Sequence, residues 1–155
     1  VPAPVPEAPK ATFTVQDVLS KKGDAIKGGE LVQRCTMCHQ VGAIGANYGP
    51  ELRGFAARQG VESVVTAIVE PSASIALGYE GSTLKLKAGG QIDGLIQSNN
   101  DPVVVKSAGG VSQLVPKNRI DKQSKLNRSL MLSSDQLGLT AQDVADIAAW
   151  LATYN

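Results

Sequence analysis

The chain is poor in the residues that usually advertise chemistry. Its 155 residues include one histidine, two cysteines and two methionines. Cys35 and Cys38 are too close in sequence to form the disulfide lattice of a small secreted scaffold, which joins distant segments. All the Cys and His residues, Cys35, Cys38 and His39, sit together, one short of a tetrahedral zinc site built from those types. Aromatic residues make up only 4%. A core so short of rings leans on Val, Leu, Ile and Ala, or is completed by something the chain does not encode. The net charge of +1 argues against a nucleic-acid binder, which needs a concentrated basic face. No run of about 18 apolar residues is present to cross a bilayer as a helix. No signal-peptide pattern is visible, and the chain opens Val1-Pro2-Ala3-Pro4 without Met. That is the expectation for a processed product or a piece of something longer.

What remains is globular composition, 43% apolar and 19% charged. Pro2, Pro4, Pro6 and Pro9 mark residues 1–12 as an extended linker, leaving 13–155 as one domain. Thr14 is placed to cap a short helix through Val15, Val18 and Leu19. Asp24 is placed to cap another running to about Arg34. Gly28 and Gly29 lie inside that second helix, where each costs about 1 kcal/mol against alanine, so something approaches the backbone closely there. Residues 40–60 are Gly-rich and read as loop. Val61, Val64, Val65 and Ile68 recur at helical spacing until Pro71. From Thr83 to Val115 the texture becomes alternating, with Gly89-Gly90 and Gly109-Gly110 as turns: four short antiparallel strands. Thr140 and Asp143 resemble a capping box for a last helix with Val144, Ile147, Ala148 and Leu151 in a stripe.

The chemistry concentrates in Cys35-Thr36-Met37-Cys38-His39. C-x-x-C-H is the attachment motif of c-type haem. Two thiols at this spacing match the two vinyl groups of the macrocycle, and the next residue falls under the iron as a neutral imidazole ligand. A thioredoxin-like dithiol or part of a zinc site are the competing readings. The sixth ligand follows by elimination. His39 is the only histidine, and Met37 lies inside the attachment loop, so Met131 is the candidate. The alternative is that Met131 merely fills the core and the sixth position stays open. A His/Met pair raises the reduction potential and leaves no site for a substrate, which favours electron transfer over catalysis.

These residues, with Gly23 to Val32 before the motif, Gly49-Pro50-Glu51-Leu52 after it, and Trp150-Leu151 in the last helix, resemble class I cytochromes c. Glu70-Pro71-Ser72, Gly78-Tyr79-Glu80 and Ser129-Leu130-Met131 are similar to the haem-binding domains of planctomycetes and verrucomicrobia, often fused to large secreted dehydrogenase-like proteins. Leu132 stands where that subgroup usually has Pro. The resemblance implies a mainly α cytochrome c fold. A small antiparallel β insertion, about residues 79–121, would lie between the third core helix and the Met131 loop. It implies a Pro50 carbonyl that orients His39 through Nδ1, and propionate contacts from Tyr48, Arg53 and Arg58, for which ordinary surface placement is the alternative. Tyr79 could pack on the haem edge or belong to the core, and Trp150 reads as helix-crossing core. Lys85, Lys87, Lys106, Lys117 and Lys122 read as a solvated sheet face or a docking patch for an acidic redox partner.

The resulting expectation is one covalent haem c, with Cys35 and Cys38 attaching it and His39 and Met131 on the iron. The domain would be an electron carrier rather than an enzyme. It would relay from a dehydrogenase to an oxidase or another cytochrome, in the periplasm or outside the cell. Two rivals are a haem enzyme or gas-binding domain with an open sixth site, and a module in which haem only staples the fold.

Overall fold

The computed structural model describes residues 12–155. The linker expected over 1–12 therefore lies outside the described residues apart from Thr12, whose N–H donates to Asp135 Oδ2 at 3.1 Å.

Short helices build the first half. α1 (Val15–Leu19) starts at a full capping box: Thr14 Oγ1 accepts from Asp17 N–H and the Asp17 carboxylate accepts from Thr14 N–H. α2 (Ala25–Leu31) is capped by Asp24, whose carboxylate accepts from Ile26 and Lys27 N–H. It tightens into a 3₁₀ turn over Val32–Met37 that carries Cys35. α3 (Phe55–Gln59) and α4 (Val61–Val69) follow, each preceded by a positive-φ glycine, Gly54 and Gly60. The chain closes with α5 (Ala141–Thr153), capped by the Thr140–Asp143 box.

The helices share one core of Val18, Val64, Val65, Ile68, Val144, Ile147 and Leu151. Its tightest joint is the crossing of α2 over α5. A Cβ on Gly28 would fall on the Asp146 carbonyl, and one on Gly29 would meet the Trp150 indole at 2.9 Å. Buried Asp146 locks the joint by accepting from Asp24 N–H and from Gln142 Nε2, each at 2.8 Å. The close approach implied by the in-helix glycines is therefore helix on helix.

Between α4 and α5 lies a five-stranded antiparallel sheet: β1 (Ser82–Leu86), β2 (Gln91–Ser98), β3 (Val103–Ser107), β4 (Val111–Val115) and β5 (Ile120–Lys125). Its order is β4-β3-β2-β1-β5. Leu84, Val103, Val105 and Val115 share one face and form a second core with Ile92 and Ile96. The opposite face carries Thr83 paired with Asp93 and Leu95 paired with Lys106. This is the face turned to the cleft and to the loop after the motif, since Leu95 lines the cleft and Lys106 Nζ donates to Asn47 O at 2.9 Å.

This architecture corrects the mainly α expectation. Of the described residues, 35% are helical, 3₁₀ turns included, and 22% are in strands or bridges. The sheet spans 82–125 rather than about 79–121 and has a fifth strand, Ile-Asp-Lys-Gln-Ser-Lys, pairing with β1. That strand is polar and largely exposed, so it lacks the apolar alternation that marked the other four. The second helix is also shorter than expected, and α3 occupies part of the segment read as loop.

Candidate functional site

The attachment motif is wound as a tight turn. Cys38 and His39 N–H both donate to Cys35 O, at 3.1 and 2.8 Å. The following loop is stitched back onto it. Tyr48 and Gly49 N–H donate to Cys38 O, Ala46 N–H to Thr36 O, and Leu52 N–H to Gln40 O. This folding carries the Pro50 carbonyl to His39 Nδ1, 2.6 Å away. The carbonyl can only accept, so Nδ1 holds the proton and Nε2 keeps a free lone pair. Burial holds His39 below the ordinary histidine range, against the opposing Pro50 hydrogen bond. The imidazole is thus kept in the neutral, ligating form.

Gly49 lies directly against the ring. A Cβ there would sit 2.5 Å from His39 Cε1 and 2.7 Å from Nδ1. Burial, with Cys38 adding to it, pushes the Cys35 thiol up to about 11, and burial also raises Cys38. A dithiol redox site requires the opposite, a thiol stabilised as thiolate near neutrality.

His39 opens onto a cleft of about 1250 Å³, counted out to solvent. Cys35, Cys38, Tyr48 and Pro50 share its lower wall with Leu52 and Phe55. Val64, Ala67 and Ile68 of α4, and Ile147 and Leu151 of α5, form the back. Leu130, Met131 and Leu132 come to it from the segment after the sheet. Met131 therefore lines the same cleft as His39. Its N–H donates to Ser129 Oγ at 3.0 Å, and Ser129 N–H donates to Ser72 Oγ at 3.0 Å.

The two arginines are placed elsewhere. Arg53 is exposed, its guanidinium 4.8 Å from the Tyr154 ring centroid, with Nη1 reaching Asn155 O. Arg58 Nη1 donates to the Arg53 carbonyl at 3.1 Å. Neither lines the cleft, because Arg53 turns toward the C-terminus and Arg58 turns back onto its own loop. Tyr48 is buried there, and its hydroxyl is raised by burial first, then by Cys38 and Asp93, with Arg128 opposing.

Sequence reasoning passed over Arg34, Ile75, Leu95 and Ser129, all of which line the cleft, and Arg128. Arg34 was legible as the cation directly before Cys35. Leu95 and Arg128 carry no local signal, since only the sheet's placement brings them in. Tyr79 does reach the cleft wall, while Trp150 stays at the α2–α5 joint and stacks on Tyr154.

The donor set and walls fit a flat apolar macrocycle holding a metal: one neutral imidazole, one thioether, two thiols beside them, and apolar side chains around. Residues 25–93 match the family model for cytochrome c. No curated protein matches the chain. Cytochromes c bind haem c covalently, with iron, and are typically electron carriers rather than enzymes. The match thus supports a c-type cytochrome and haem-based electron transfer. The cytochrome c match takes in the motif, the Gly49-Pro50 turn, α3 and α4. It ends at Asp93 in β2, so the Met131 wall of the cleft rests on geometry alone. Among the described residues no helix is long and apolar enough to cross a membrane.

Proposed function

We propose that this chain is an electron-relay domain in which Cys35 and Cys38 would hold haem c as thioethers and His39 Nε2 and Met131 Sδ would ligate its iron. The bound group supplies a one-electron Fe(III)/Fe(II) couple. The chain's own residues set its conditions. The Pro50 carbonyl keeps the proton on Nδ1 and so directs Nε2 at the metal. The apolar walls from α4 and α5 exclude water, and Tyr48, which lines the same cleft, would hydrogen-bond a propionate. A soft thioether opposite an imidazole favours the reduced iron, which suits acceptance of electrons from a dehydrogenase and delivery to an oxidase or another cytochrome. Covalent haem attachment would call for machinery outside the bacterial cytoplasm, which supports a location in the periplasm or outside the cell. Residues 1–12 serve as a linker to the 13–155 domain.

One observation carries this reading: the lone imidazole and Met131 line the same apolar cleft. The test is the oxidised spectrum of the holoprotein made with a haem-attachment system. The long-wavelength sulfur-to-iron charge-transfer band is expected in the native protein and absent in Met131→Ala, which in turn binds added cyanide at once. A native protein without the band that takes up cyanide equally fast would instead establish an open sixth site, hence a gas-binding or enzymatic role.

A further inference from the structure

The loop that carries Met131 has two anchors, and they come from different units of the fold. The first belongs to the helical unit: Ser72, just beyond α4, accepts the Ser129 N–H. The second comes from the sheet. Arg128 Nη2 meets Asp93 Oδ2 of β2 at 3.1 Å, while its Nη1 donates to the Ser129 carbonyl at 3.3 Å. One guanidinium thus bridges the sheet to the residue whose hydroxyl receives the Met131 N–H. The pair is about two-thirds buried, with side chains 33% and 26% exposed. Asp93 sits on the same sheet face as Leu95, two residues along β2, and Leu95 lines the cleft.

We propose that Arg128 is a positioning residue and that the β-sheet acts through it as a brace holding Met131 in place for the metal. The planar fork serves the two acceptors from separate nitrogens held in one fixed geometry, whereas an ammonium would have to reach both from a single nitrogen. The sheet thereby acquires a role: it fixes the ligand loop at a second point, the Ser129 carbonyl, beside the Ser72 contact to the Ser129 N–H. The inference rests on Met131 being the sixth ligand.

The experiment titrates the oxidised holoprotein with imidazole. The Fe–S bond breaks and an Fe–N bond forms, with no change in oxidation state. Removing the brace makes the loop easier to displace, so Arg128→Ala and Asp93→Asn should each raise imidazole affinity about tenfold. The double variant should do no more than Arg128→Ala alone, because both lose the same contact. Arg128→Lys should fall between. Lys106→Ala cuts the other sheet contact, to Asn47, and should leave imidazole affinity unchanged. Amide exchange at residues 129–131 should quicken in Arg128→Ala and Asp93→Asn only. The brace is overturned if Arg128→Ala binds imidazole like the native protein, or if Lys106→Ala raises the affinity as much. Failure of the underlying ligation is seen separately: Met131→Ala would then match the native protein in spectrum and imidazole binding, and the brace would fall with it.

Discussion

His39 is held in place from two sides, by a hydrogen bond and by a missing side chain. The Pro50 carbonyl fixes the ring's proton, and the bare Cα of Gly49 lets the ring lie flat against the backbone. Gly49→Ala therefore tests orientation without touching the ligand itself. A methyl 2.5 Å from Cε1 must push the imidazole away, because the backbone beneath it is tied to Cys38 O. Overpacking of this kind costs about 1–3 kcal/mol. The expected result is a reduced yield of covalently attached haem and a weaker His39–iron bond, read by mass spectrometry and by acid titration of the reduced spectrum. Unchanged yield and titration would show that the ring has room to move. At this scale the sequence was informative where chemistry is local. The five-residue motif named three side chains, and scarcity pointed to Met131. Arg53 and Arg58 were misjudged because nearness in sequence to the motif carries no information about direction. Their guanidiniums point at Tyr154 and a carbonyl of the same loop.

At the level of elements, propensity and packing make opposite predictions for the α2–α5 crossing, and magnitudes decide. Gly28→Ala should help α2 by about 1 kcal/mol on helix propensity alone. The added methyl would, however, land on the Asp146 carbonyl of α5, a main-chain atom that moves only with its helix. Overpacking against rigid backbone costs about 1–3 kcal/mol or more, so the substitution should destabilise on balance. A lower urea midpoint with unchanged slope is the expected observation; a higher midpoint would mean that the helices can part cheaply. The cap on α5 offers an independent measure. Thr140→Ala removes the hydroxyl that accepts from Asp143 N–H and should cost about 1 kcal/mol without altering the haem spectrum. Caps, stripes and glycine turns were legible because each is written in a few adjacent residues. β5 was not, because its partner β1 supplies the pairing and its own side chains are polar. α3 was hidden by its brevity between two glycines. Missing β5, and carrying the second helix on to about Arg34, tilted the overall balance toward helix.

Across the whole molecule there are two cores, one in the helices and one inside the sheet, and the proposed metal ligands are tied to them unevenly. His39 and both cysteines belong to the helical unit. Met131 follows the sheet, packs against the helical core and, on the proposed brace, is secured to the sheet through Arg128. Damage to the sheet core should therefore reach one ligand and spare the other. Leu84, fully buried in the sheet core, contacts none of the cleft. Leu84→Ala should cost about 2–5 kcal/mol, all of it in the sheet. On heating the oxidised holoprotein, the sulfur-to-iron band should vanish together with amide protection in β1 and β2. Protection in α2 and α5, and the haem's attachment, should persist to higher temperature. In the native protein the interval between these two events should be narrower. If the band instead disappeared only with the helices, the sheet would be an independent passenger and Ser72 would be sufficient to hold the loop.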